Sequence, residues 1–238
     1  MSLENIDYED LKSRGFLRQK QEGFFLLRVR MSGGVFKKAE LDKISAISQT
    51  YARGFVHATT RQGLEIPFIK LEDIETVEKE IKAAGILVGT SGARLRTTTA
   101  CPGNNWCKQG LIDTFALASR IENELGIKCG LNLPHKFKIA ISGCPNTCTR
   151  PQNTEIGIHG AVEVLDGQKR FGFAVYLGGC GGKTPREAIK LEKIFSEDDV
   201  LALIKKVVEY FKNNAAPRQR LGLLIEEKGR DNFLKEVL

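Results

Sequence analysis

Four cysteines arranged as two uneven pairs constrain this chain more than any other feature. Cys101 and Cys107 lie in TACPGNNWC, and Cys144 and Cys148 in SGCPNTC. The pattern is C-x5-C, an interval of 36 residues, then C-x3-C. Any fold must bring two distant loops together and keep them rigid. Both loops carry turn formers, Pro102-Gly103-Asn104-Asn105 in one and Gly143, Pro145 and Asn146 in the other, which bend the backbone so that two sulfurs can face one centre. Zinc sites favour C-x2-C pairs. These wider loops suit a bulkier inorganic centre, such as an iron–sulfur cluster on four thiolates. A structural zinc site and four buried free thiols are the alternatives. Cys107 is expected just before a helix, where the helix N-terminus favours thiolate. Cys129 reads as a small buried apolar residue, and Cys180, inside GGCGG, as a residue able to approach a cofactor.

Periodicity sets an α+β frame around these loops. Residues 24–30 read as a strand, 38–53 as a helix, 54–60 and 63–69 as two strands, and 72–84 as a second helix ended by Gly85. That β-α-β-β-α order, with a further strand to close it, is a ferredoxin-like unit. The small residues of VGTSGA mark a boundary, giving domains 1–90 and 91–238. The second is a mixed α/β domain. It has a possible strand in ARLRTTTAC, a helix over 108–125, a strand over 136–142 and a hairpin turning at Asp166-Gly167. A helix starting at Ser196 and a helical C-terminal tail follow.

The net charge of +7 fits a basic surface facing an anionic cofactor or an acidic protein. No helix-turn-helix or aromatic RNA-binding signature accompanies it, so nucleic acid is not an expected partner. No apolar run approaches the roughly 18 residues of a membrane span. The polar, acidic start MSLENIDYEDLK lacks a secretory pattern, so a cytoplasmic location is expected and six cysteines read as ligands or free thiols.

Taken together, the cysteine loops, TTRQ (59–62) and LPHKFK (133–138) resemble the sirohaem-dependent sulfite and nitrite reductases. The resemblance implies a [4Fe–4S] cluster on Cys101, Cys107, Cys144 and Cys148, with Cys148 also bridging to the sirohaem iron. It implies that Arg61 of TTRQ, Arg96, and Lys136 and Lys138 of LPHKFK meet the substrate anion, sulfite or nitrite. His135, within the same element, is a candidate for assisting proton delivery. Sirohaem is a polycarboxylate, and cations near the motifs would serve it. Arg61, Arg94, Arg96, Lys108, Arg150 and Lys183 are assigned to that pocket with Gly179, and Arg53 and Arg186 lie nearby in sequence. Arginine forks match oxyanions, and buried lysine can both hold an anion and donate protons. Sirohaem enzymes of this kind reduce sulfite to sulfide in a six-electron reaction; nitrite reduction to ammonia by the same centre and a non-catalytic iron–sulfur electron-transfer or accessory subunit are the alternatives. The resemblance also implies an external electron donor such as ferredoxin or flavodoxin. Because family enzymes usually pair two such modules, a single module implies either a homodimer that shares its site, the preferred reading, or a minimal module that holds its cofactor alone.

Overall fold

The computed structural model describes residues 6–238, which form two compact units divided between Ser91 and Gly92. In the first unit, α1 (Tyr8–Ser13) and β1 (Phe16–Arg18) precede β2 (Phe24–Arg30), α2 (Lys38–Tyr51), β3 (His57–Ala58), β4 (Leu64–Lys70), α3 (Ile74–Ala83) and β5 (Leu87–Val88). The sheet is antiparallel. β2 is flanked by β4 on one side, and β1 and β5 share its other side at successive registers, Phe25–Leu27 and Val29–Arg30. With β3 on the outer side of β4, this is the ferredoxin-like strand order.

Alternation explains β2: Phe25, Leu27 and Val29 point inward. They meet Ile44 and Ile47 of α2 and Ile74, Val77 and Ile81 of α3 in one apolar core. The strand expected over 54–60 shrinks to two residues. Gly54 takes a positive φ of 74°, and Arg53 stacks over the Phe68 ring at 3.8 Å, so the chain leaves α2 through a turn. α1 and β1 were not anticipated. Asp7 caps α1 by accepting from the amides of Glu9 and Asp10, both at 3.0 Å.

The second unit is built on a mixed sheet in the order β10-β9-β8-β7-β6: β6 (Thr99–Ala100), β7 (Ile139–Ser142), β8 (Ile156–Leu165), β9 (Gln168–Leu177) and β10 (Ile189–Lys190). β6, β7 and β8 run parallel, and the rest pair antiparallel. β7 is buried at all four positions, as a strand covered on both faces must be. α4 (Thr114–Asn123) and α5 (Glu197–Asn214) pack on this sheet through Leu117, Ile121, Val200, Ile204, Val207 and Phe211. α6 (Leu221–Lys228) and α7 (Arg230–Val237) close the apolar core with Leu224 and Phe233. Ser196 caps α5, accepting from the Asp199 amide at 3.2 Å. The β8–β9 hairpin turns at Asp166-Gly167 as its sequence indicates.

Two expectations fail here for physical reasons. The helix expected from 108 begins only at Thr114, because Asp113 is its cap and accepts from Phe115 and Ala116 amides, both at 3.0 Å. Cys107 therefore lies in a loop and gains nothing from a helix N-terminus. The strand expected over 136–142 is regular only from Ile139, because the backbone before it is claimed by side chains and loops described below.

Candidate redox-centre and anion site

Adjacent parallel strands bring the two cysteine loops together. β6 ends at Ala100 and β7 at Ser142, with Ala100 in register with Ile141. Cys101 and Gly143-Cys144 therefore leave the sheet side by side from the carboxyl ends of neighbouring strands, the common ligand-binding edge of open α/β sheets. The Gly143 amide donates to Cys101 Sγ at 3.0 Å, the kind of bond that tunes a metal-bound sulfur. Cys144 is buried, Cys101 partly buried, and Cys107 and Cys148 exposed.

Glycine makes the close approach possible. A Cβ on Gly143 would sit 2.5 Å from Gly103 Cα, one on Gly110 would sit 2.2 Å from Gly103 C, and one on Gly160 would sit 2.5 Å from Gly143 O. Four glycines thus stack backbone on backbone from β8 through the second loop to the first. Leu111 N donates to Gly143 O at 2.8 Å, and Asn104 N to Ile112 O at 2.9 Å. Asn105 Nδ2 donates to Asp113 Oδ1 at 3.0 Å, tying the first loop to the cap of α4. These amide and side-chain donors hold the Asp113 carboxyl below the usual carboxylate range.

The second loop carries strain. Thr147 and Arg150 flank Cys148 and both have positive φ, 50° and 53°. The loop is pinned at its base, where Ser142 Oγ and Thr149 Oγ1 lie 2.8 Å apart and Thr149 N donates to Ser142 Oγ. Among the described residues, no three His, Cys, Asp or Glu side chains gather around a point where one metal ion could sit.

Cations collect beside LPHKFK. The segment 93–97 pairs with 130–137: Leu95 bridges Phe137, Arg96 N donates to Phe137 O at 2.8 Å, and Leu133 N to Ala93 O at 3.1 Å. Arg96 Nη2 donates to Gly92 O at 2.9 Å, and Arg94 Nε to Asn132 Oδ1 at 3.2 Å. His135 is held below its usual pKa by burial and by the positive charges of Arg220, Lys136, Arg96 and Arg218. The structure therefore brings Arg96, Lys136 and His135 into one field.

Lys138 is placed through its backbone. Its amide donates to Glu155 Oε2 at 2.9 Å, and Glu155 is fully buried. Arg220 Nε donates to Glu155 Oε1 at 2.6 Å, with Nη2 against the same oxygen. Burial nevertheless pushes the Glu155 carboxyl above its ordinary range, against the pull of Arg220.

Arg61, in the first unit, is half-buried at the tip of the β3–β4 turn. Thr59 N donates to Gly63 O at 2.8 Å and Gly63 N to Thr59 Oγ1 at 3.1 Å, and Gln62 takes a φ of 61°. A Cβ on Gly63 would meet Val29 O at 2.7 Å, so this turn presses on the end of β2, where Arg30 is 6% exposed.

Lys108 follows Cys107 and Arg150 lies two residues beyond Cys148; both are exposed, as is Lys183. Gly179 lacks a side chain because Gln152 O would lie 2.1 Å from its Cβ, a packing reason that needs no cofactor. Cys180 closes the 180–186 loop through paired amide bonds with Arg186, which is itself paired with Glu226 at 2.7 Å. Cys129 is only partly buried, with Thr97 Oγ1 3.6 Å from its sulfur. Trp106 is 68% exposed and rests on Phe115, with ring centroids 5.5 Å apart. His159 is buried and bonded to Tyr176 and Gly160, a structural role; His57 is exposed and pairs with Glu65. Sequence reading missed Arg30, Glu155, Arg218 and Arg220. The only signal was basic density in APRQR, and no spacing linked it to LPHKFK.

Two family models match. Residues 91–238 match the nitrite and sulphite reductase 4Fe-4S domain, and 17–84 the nitrite/sulfite reductase ferredoxin-like half domain. The chain belongs to the nitrite and sulphite reductase family. It is 32% identical to a coenzyme F420-dependent sulfite reductase of Methanocaldococcus jannaschii, over 94% of this chain and 44% of that protein. It is 26% identical to an assimilatory-type sulfite reductase of Nitratidesulfovibrio vulgaris, over 94% of this chain and 97% of that one. The fold matches the Mycobacterium tuberculosis NirA protein with a TM-score of 0.82 at 21% identity, covering 97% of this chain and 46% of that one. The chain thus spans less than half of the first relative. Its larger unit is the part of that family described as the 4Fe-4S domain. No helix among the described residues is long and apolar enough to cross a membrane.

Proposed function

We propose that this chain is the catalytic module of a sulfite reductase, taking sulfite to sulfide in a six-electron reaction. One observation carries the reading: two cysteine loops leave adjacent parallel strands of the same unit in which Arg96, Lys136 and His135 share one positive field. Cys101, Cys107, Cys144 and Cys148 would hold the cluster, with Cys148 as the bridge. When bound, the sirohaem–cluster pair supplies single-electron delivery to the substrate.

The chain's own residues do the rest. Arg96 and Lys136 attract and orient the oxyanion, and Arg61 is assigned the same role from its motif. Each departing oxygen must leave as water, so protons are needed at the site. Lys136 and Lys138 are the assigned donors. His135 is neutral at pH 7 because burial and neighbouring cations disfavour its charged form. An anion arriving beside it offsets those cations and raises its proton affinity.

Electrons are proposed to come from an acidic ferredoxin or flavodoxin, which the net charge of +7 would favour. Nitrite is the rival substrate. The deciding test is anaerobic reconstitution with iron, sulfide and sirohaem, followed by absorption spectroscopy and turnover with each anion. Haem absorption and faster sulfite turnover are expected. A featureless reconstituted protein would overturn the reading, and a nitrite preference would reassign the substrate. The homodimer is tested by mixing Arg61→Ala and Cys148→Ser chains: recovered activity in confirmed mixed dimers is expected of a shared site, and none would overturn it.

A further inference from the structure

We propose that Arg218 is a further oxyanion-binding residue, presented by the loop 215–220 and held in place by the buried Glu155–Arg220 pair. The inference rests on the reading of 133–138 as an anion-binding element.

The loop is built to hold a position. α5 ends at Asn214, and Pro217 stops any continuation. Gln219 is buried and folds the loop on itself: its Oε1 accepts from Ala216 N at 2.8 Å, and its Nε2 donates to Glu227 at 2.6 Å. Arg218 takes a positive φ of 68°, and its amide donates to Pro134 O at 3.0 Å. The loop is therefore bonded directly to LPHKFK. On its other side, the Glu155 carboxylate takes the Arg220 guanidinium with one oxygen and the Lys138 amide with the other. One buried acid thus registers the loop and the lysine element against each other.

The two arginines differ in what their charge meets. Arg220 is 12% exposed and matched by Glu155. Arg218 is exposed and has no acidic partner among the described residues, and neither has Lys136. Like charges held together by fixed backbone repel, and an anion between them relieves that repulsion. A guanidinium also offers an oxyanion a two-pronged fit that lysine cannot. The ligand is an oxyanion, either the substrate or a peripheral carboxylate of the tetrapyrrole.

Arg218→Ala separates these sources. The control is Lys212→Ala, which removes the same charge from an exposed position of α5. On the cofactor-free full chain, affinity for uroporphyrin, a polycarboxylate tetrapyrrole, is read by quenching of the single tryptophan, Trp106. On the reconstituted enzyme, KM and kcat for sulfite are measured. A roughly tenfold weaker uroporphyrin affinity assigns Arg218 to a cofactor carboxylate. A KM raised about tenfold, with unchanged uroporphyrin affinity and sirohaem content, assigns it to the substrate. Arg218→Lys should recover part of either loss. Arg218→Ala matching Lys212→Ala in both arms overturns the proposal. A wild-type enzyme that binds sirohaem yet turns over neither anion would count against the proposed function, while leaving the uroporphyrin arm to judge Arg218.

Discussion

The two units position their arginines and cysteines by opposite means. In the first, Arg61 sits on a turn whose bonds, Thr59 to Gly63 and back, span four residues. In the second, the groups that matter are brought together from residues far apart in sequence. Gly103, Gly110, Gly143 and Gly160 touch through backbone, and Glu155 joins Lys138 to Arg220. A local turn tolerates a poor residue because only its own few bonds are at stake. A stack of backbones has no slack, since the displaced atoms belong to strands and loops that are themselves fixed.

Gly143→Ala is the largest expected effect. Its Cβ would meet Gly103 Cα at 2.5 Å, and neither backbone can retreat without moving β7 or the first cysteine loop. Over-packing of this kind costs about 1–3 kcal/mol even where side chains can shift, and here only main chain is available. The variant should lose cluster reconstitution. Hydrogen exchange should rise at Cys101 and Leu111, whose amides bond Ile141 and Gly143, and stay unchanged at Leu27 and Val29 of β2. Normal iron content in this variant would show that the loops are not clamped by the glycine stack.

Asp113→Ala is the next step down. Its carboxylate caps α4 and holds Asn105 of the first cysteine loop, so the loss is one cap, about 1 kcal/mol. The pH dependence follows from the sign of its shift. Because the folded pKa is depressed, its stabilisation is full above the ordinary carboxylate range and disappears as pH falls through the lower, folded value. Denaturation of wild type and variant should therefore differ by a constant amount near pH 7 and converge in acid. A difference that grows on acidification would mean that another group carries the effect.

Legibility in the sequence follows the same division. Periodicity located β2, α2, α3, the β8–β9 hairpin and α5, where one face of each is apolar. It placed all four cysteines on loops, because proline, glycine and asparagine are turn formers whatever surrounds them. It failed where a residue's role depends on a remote partner. Asp113 reads as interior to a helix until its side chain is seen to cap one. Cys107 then loses its supposed helix terminus. Glu155 lies in a stretch that reads as strand, and nothing in TEIG indicates a buried acid shared by an arginine 65 residues away. Arg218 and Arg220 are alike in APRQR, and only the Glu155 contact distinguishes a matched charge from an unmatched one.

Gln62→Gly should have the smallest effect and sharpens the contrast most. Gln62 has a φ of 61°, a region that costs a side-chain-bearing residue roughly 1 kcal/mol and glycine nothing. Glycine also loses about 0.4–1 kcal/mol more chain entropy on folding. The two backbone terms oppose each other and nearly cancel, so the change in stability of the first unit reads the contacts of the Gln62 side chain beside Gly34, and the Thr59–Gly63 bonds that carry Arg61 should persist. Calorimetry combined with hydrogen exchange at Thr59 and Gly63 reads this directly. A loss above about 2 kcal/mol would break the comparison, because the Gln62 side chain would then be holding the turn through contacts beyond it. Alanine at Gly143 and glycine at Gln62 each exchange one residue in a loop beside an assigned site residue. They should differ in consequence because glycine at Gln62 only removes atoms from a turn that keeps its own bonds, whereas alanine at Gly143 adds one where the Gly103 backbone already lies.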